Sequence, residues 1–179
     1  WTGILKRLIQ ISVSKHTADL YTGGLKKNLV MKWVRTPTII WEQLSNEFDF
    51  TVDACASDKN HLLPRYWTKE TDALEQCWDN ETIYCHPMFD IRIPKFVEKG
   101  CTASNSLCVF LLPSSTNSVY FHKWFWDADL HRPKKNVEIR FMPKPKRHAD
   151  GWKFCSEDGV EPEMGYLRPL MVVVVNNKV

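Results

Sequence analysis

A carboxylate and an imidazole stand where apolar runs give way to turns, a second carboxylate lies in a polar turn between them, and these are the side chains of this chain best placed to do chemistry. Asp53 closes the run Phe50-Thr51-Val52, where a carboxylate accepts hydrogen bonds from the ammonium group or ribose hydroxyls of a ligand. Capping a helix N-terminus is the alternative reading, since Asp is a preferred cap. Ala54, Ala56 and Ser57 follow it and are small enough to let a ligand approach the backbone, although no Gly-rich fingerprint accompanies them. Asp72, in the turn Thr71-Asp72-Ala73-Leu74, either caps that turn or binds a purine amine. A second apolar run, Thr82 to Cys85, leads into His86-Pro87-Met88-Phe89. Ligands of open α/β sheets bind at strand ends and the turns after them, so these blocks form the candidate site.

The elements that must position them follow from periodicity. Thr36-Pro37 reads as an N-cap with Pro at the first helical position, and Ile40, Leu44 and Phe48 recur every four residues, predicting a helix from Pro37 to Phe48. Phe50 to Asp53 and Thr82 to Cys85 read as strands, Ile93 to Lys99 as a helix closed by Gly100, and Leu107 to Leu112 as a strand ended by Pro113. Val119 to Trp126 is expected to be helical, with further strands at Val137 to Phe141 and Leu170 to Val175. Arg132 to Lys135 and Pro143 to His148 read as basic loops, either solvated or touching phosphate. Alternating strand and helix in this order predicts an α/β fold, a mostly parallel sheet flanked by helices.

With 179 residues the chain is long enough for one domain with a real core. Residues 1 to 32 read as a basic N-terminal extension, with Lys6, Arg7, Lys15, Lys26, Lys27 and Lys32 around Gly23-Gly24; residues 33 to 179 read as the domain. The extension either packs on that domain or touches phosphate. A hydrophobic content of 44% with 25% charged residues excludes a disordered tail, and a net charge of +3 is compatible with a nucleic-acid partner without requiring one. Six cysteines show no CxxC pair and no zinc spacing, so no metal site is expected and the thiols read as buried and reduced, implying a reducing intracellular compartment. No apolar run approaches the roughly 20 residues a membrane span needs. The chain opens on Trp1 rather than Met, which is compatible with loss of a targeting segment.

Trp33-x-x-Thr36-Pro37, Asp53-Ala54-Cys55-Ala56-Ser57, Asn60, Arg65-Tyr66-Trp67-Thr68, Asp72-Ala73-Leu74 and Trp78, then a strand into a Pro-aromatic turn, form an ordered set of blocks. Leu111-Leu112-Pro113, Ser115-Thr116, Tyr120-Phe121-His122 and Ile139-Arg140-Phe141 continue it. Together they resemble the phage-type DNA N6-adenine methyltransferases, the Dam family of phages and mobile elements. The resemblance covers Trp33 to Phe141 and implies a Rossmann-like methyltransferase fold with S-adenosylmethionine as cofactor. Trp33, Thr36 and Pro37 would then help enclose the cofactor, with Asp53 and Ala54 to Ser57 near its amino-acid and ribose parts and Asp72 near its adenine. DNA would be the partner, and the host cytoplasm the setting for a phage protein.

In that family the acceptor block reads Asn or Asp, Pro, Pro, Tyr or Phe. The side-chain oxygen and the first proline's carbonyl accept the two hydrogens of the adenine amine, and the aromatic stacks on the flipped base. Here His86, Pro87, Met88 and Phe89 occupy the block. Pro87 and Phe89 keep the carbonyl and the ring. A neutral imidazole at His86 offers one acceptor nitrogen and a protonated one offers none. Met88 removes a fixed φ from the turn. The competing reading is a methyltransferase-like domain without catalysis, binding nucleic acid or serving as a structural subunit of a larger assembly. A third is methylation of another acceptor such as RNA or protein.

Overall fold

The computed structural model describes residues 34–145, 151–162 and 165–178, all within the compact unit Trp33–Val179. The expectation of a basic extension over residues 1 to 32 lies outside the described residues, as do Trp33 and the end of the Pro143 to His148 stretch.

Five strands form the main sheet: β1 (Val52–Asp53), β2 (Thr82–Cys85), β3 (Leu107–Pro113), β6 (Val137–Met142) and β7 (Leu170–Asn176), in the order β1-β2-β3-β7-β6. β1, β2 and β3 run parallel, while β7 is antiparallel to both its neighbours, β3 and β6. The fold is therefore α/β with a mixed sheet, in which the single reversed strand makes two of the four ladders antiparallel. All residues of β3 but its first are buried, as are all of β7 but its last, which is why both read as unbroken apolar runs. Alternate side chains serve opposite faces. Cys108, Phe110 and Leu112 join Met171, Val173 and Val175 on one, and Val109 and Leu111 join Leu170, Val172 and Val174 on the other.

Helix α1 (Thr38–Glu47) covers the second face through Ile40 and Leu44, and α2 (Ile93–Thr102) covers the first through Ile93, Phe96 and Val97. Between β3 and β6 a π-helical turn (Phe121–Phe125) buries Phe121 and Phe125 against the α2 side. A short hairpin, β4 (Trp126–Asp127) with β5 (Arg132–Pro133), follows it.

Five local expectations are corrected by tertiary contacts. Pro37, not Thr36, is the N-cap of α1, because the Thr36 hydroxyl is drawn into the core instead of capping the helix. The first strand shrinks to Val52–Asp53, and Arg132–Pro133 is a strand because it pairs with Trp126–Asp127. Val119 to Trp126 holds a π-helical turn, with Trp126 already in β4. Finally, α2 runs through Gly100 to Thr102. That glycine lies against the sheet, where an added Cβ would meet the Phe110 ring and come 3.2 Å from the Cys108 sulfur. Since Phe110 is fully buried and cannot swing away, Gly100→Ala is expected to lower stability by about 1–3 kcal/mol, read from the urea midpoint.

Candidate active site

The carboxyl ends of β1, β2 and β3 open on the same rim of the sheet, and the turns after them carry the candidate residues. Asp53 ends β1 and is almost wholly buried. Its neighbour on the outer side is the extended Arg65–Trp67 segment: the Asp53 N–H donates to the Arg65 carbonyl at 3.1 Å and the Trp67 N–H to the Asp53 carbonyl at 2.9 Å. The carboxylate accepts from the Cys55 N–H at 3.2 Å and from the Leu62 N–H at 3.1 Å. Both oxygens thus order the turn that contains Ala54, Ala56 and Ser57. Asn60 tightens the same turn by accepting from the Ser57 N–H at 2.6 Å. Burial raises the Asp53 pKa to about 6, partly offset by those two N–H donors.

Asp72 is exposed, with a left-handed φ of 42°, and one of its oxygens accepts from the Leu74 N–H at 3.0 Å. Its turn is pinned from below by the Trp78 indole N–H, donating to the Ala73 carbonyl at 2.8 Å, and from the side by Lys99, donating to the Leu74 carbonyl at 2.9 Å. Asp72, Ala54 and Cys55 border a narrow hollow of about 40 Å³, closed on the other side by Met88 and Arg92.

His86 and Pro87, directly after β2, are buried. The His86 Nδ1 lies 3.0 Å from the Thr36 hydroxyl, which lies 2.8 Å from the Tyr84 hydroxyl. Burial lowers the His86 pKa to about 4, so the ring is neutral at physiological pH. Its face packs at 5.4 Å on Phe154 and at 5.3 Å on Phe89, and Phe89 in turn packs at 5.2 Å on Tyr166. Met88 lacks the fixed φ of a proline, but its carbonyl accepts from the Asp90 N–H at 2.7 Å and its sulfur contacts Arg92 at 3.7 Å. Asp90 bonds the Arg92 backbone at 2.8 Å and pairs with its guanidinium at 3.1 Å, so the turn is held where α2 begins.

Phe89 also borders a wide cleft of about 620 Å³, with Tyr120, Lys123, Trp124, Tyr166 and Arg168 among its walls. The Tyr120 hydroxyl is buried and has no hydrogen-bond partner among the described residues. The structure thus brings Asp72, Ala54 and Met88 to one hollow and Phe89 to another, with the His86–Phe89 turn between them. Thr36 joins His86 instead of the hollow, and Pro37 stays at the head of α1. Sequence reading missed Phe154 and Tyr166, which lie far along the chain in no recognisable motif. It also missed Asp90 and Arg92, whose spacing as an Asx turn before a helix was the available signal.

The two buried groups act oppositely on stability. His86, with its pKa depressed below 6.5, stabilises fully above that value, and the contribution is lost as pH falls toward 4. Asp53, raised above 3.8, stabilises fully below that value, and the contribution is lost as pH rises through 6. From pH 7 to pH 4, the stability difference between His86→Asn and the parent chain is expected to move by about 3 kcal/mol in the variant's favour. Urea unfolding at the two pH values measures it, and an unchanged difference would show that the ring titrates alike in the folded and the unfolded chain.

Among curated proteins none matches the chain. A family model does, described as DNA N-6-adenine-methyltransferase (Dam) and matching residues 24–155, a stretch that contains β1, both turns and the His86–Phe89 block. The chain belongs to the DNA N-6-adenine-methyltransferase (Dam) family.

Proposed function

We propose that the protein is an S-adenosylmethionine-dependent methyltransferase acting on the exocyclic amine of adenine in DNA, built on a Rossmann-like sheet. The observation that carries this reading is the position of the His86–Phe89 turn. Met88 borders the hollow shared with Ala54, Cys55 and Asp72, and Phe89 borders the wide cleft. Cofactor on one side of the turn and base on the other would meet across it.

The donor set of the hollow suits the cofactor in kind. Ala54 and Cys55 leave the backbone approachable, and Asp72 uses only one carboxylate oxygen in its own turn, leaving the other for an amine or hydroxyl. When bound, S-adenosylmethionine supplies a methyl group activated by a sulfonium. Trp33 and Pro37 belong to the proposal as residues enclosing it, Thr36 as the residue that holds His86, and Asp53 as the group that shapes the Ala54–Ser57 turn. On the acceptor side, the Pro87 carbonyl takes one hydrogen of the adenine amine, whose lone pair is delocalised into the ring and needs alignment. Phe89 stacks on a base taken out of the duplex, and Arg168 at the cleft offers positive charge to its phosphates, while Lys123 is paired with Glu98.

A second reading, a domain that binds nucleic acid or a larger assembly without catalysis, is favoured by two observations. The hollow is about 40 Å³, far below the roughly 300 Å³ at which ligand pockets begin, so it must widen to admit the cofactor. His86 also replaces the family's amide or carboxylate.

Labelled S-adenosylmethionine with adenine-rich DNA, and with RNA of matching sequence, decides between them. Methyl incorporation into DNA adenine by the parent chain is the expected outcome. Incorporation only by His86→Asn would identify a decayed enzyme, and none by either would leave the binding role. In the active case Phe89→Ala is expected to lower kcat/KM about tenfold to a hundredfold through loss of base stacking.

A further inference from the structure

We propose that Thr36 and Tyr84 fix the tautomer of His86 with the proton on Nε2, so that this residue offers the substrate base a hydrogen-bond donor. The inference rests on the proposed adenine site and names what its most unusual residue reads there.

Proton accounting along the buried chain carries it. Tyr84 is 1% exposed, and the one hydrogen bond of its hydroxyl is to Thr36 at 2.8 Å. If Thr36 donated to Tyr84, the phenolic proton would be left buried and unmatched, which is unfavourable. Burial pushes the Tyr84 pKa well above 10, so that proton is always present. Tyr84 therefore donates to Thr36, whose own proton goes to the His86 Nδ1 at 3.0 Å. Nδ1 accepts, and a neutral imidazole carries its single proton on the other nitrogen. No hydrogen bond engages Nε2 among the described residues.

A donor at this position does different work from an amide or carboxylate oxygen. It cannot take an amine hydrogen, but it can pair with a ring nitrogen beside the amine. Adenine presents N6–H next to N1 on one edge and next to N7 on the other. A donor from His86 and an acceptor from the Pro87 carbonyl are complementary to either edge. Thr36 is then a positioning residue that acts through His86.

The tautomer is read directly from the imidazole ¹⁵N shifts of the full chain, with the His86 signals assigned by their loss in His86→Asn. The parent chain and Thr36→Ser are expected to show a protonated Nε2 and a bare Nδ1, and Thr36→Asp to move the proton to Nδ1. A protonated Nδ1 in the parent chain would overturn the proposal, whether or not Thr36→Asp folds. Binding is measured with an oligonucleotide carrying adenine, 1-deazaadenine or 7-deazaadenine at one position. About tenfold weaker binding of one deaza form is expected, and equal binding of all three, or none, would overturn the donor role. Absence of methyl transfer beside a protonated Nε2 and a deaza penalty would end the catalytic reading and still support the donor assignment.

Discussion

A polar group placed at the end of a fully buried strand must be satisfied from within the fold, and that constraint shapes the whole rim of this protein. β2 lies between two parallel neighbours, so Tyr84 and His86 emerge where water cannot solvate them. Thr36 supplies the partner for both. That requirement explains why the residue ahead of α1 turns inward instead of capping its helix. It also ties the start of the domain to its central strand through a hydroxyl and not through apolar contact alone. Asp53 solves the same problem on β1 by taking two backbone N–H groups from the turn it precedes.

The two solutions have opposite electrostatic signs. A neutral imidazole and a carboxylate are both held in low dielectric, one losing its charge more readily than in water and the other being protonated more readily. Neither is neutralised by a buried ion pair. The seven salt bridges among the described residues all include at least one partner more than a third exposed, so they contribute little beside the buried hydrogen bonds. The rim is thus organised by hydrogen bonds and ring packing, and in the cleft Lys123 is paired with Glu98 while Arg168 stands along the same wall.

Family membership and the altered acceptor block fit one physical picture. Losing the second proline of the block removes a backbone constraint, yet the turn keeps its shape because Asp90 and Arg92 clamp it against α2. The turn itself lies between the narrow hollow, which Met88 borders, and the wide cleft, which Phe89 borders.

Much of this was legible in the residue pattern. β3 and β7 declared themselves as apolar runs too long for a surface strand, and Thr82 to Cys85 declared its turn, because burial on both faces leaves a continuous signature. The order of short blocks carried the family. Local patterning could not say that β7 would reverse between β3 and β6, since an apolar run reads the same in either direction. Nor could it place Phe154 and Tyr166 beside Phe89, or Thr36 beside a histidine 50 positions away. Those pairings depend on sheet register and chain return, which no periodicity of 2 or 3.6 residues encodes. The sequence by itself determined which residue types stand at the strand ends. Only the tertiary structure decided which of their protons and lone pairs are used inside the fold and which are left for a ligand.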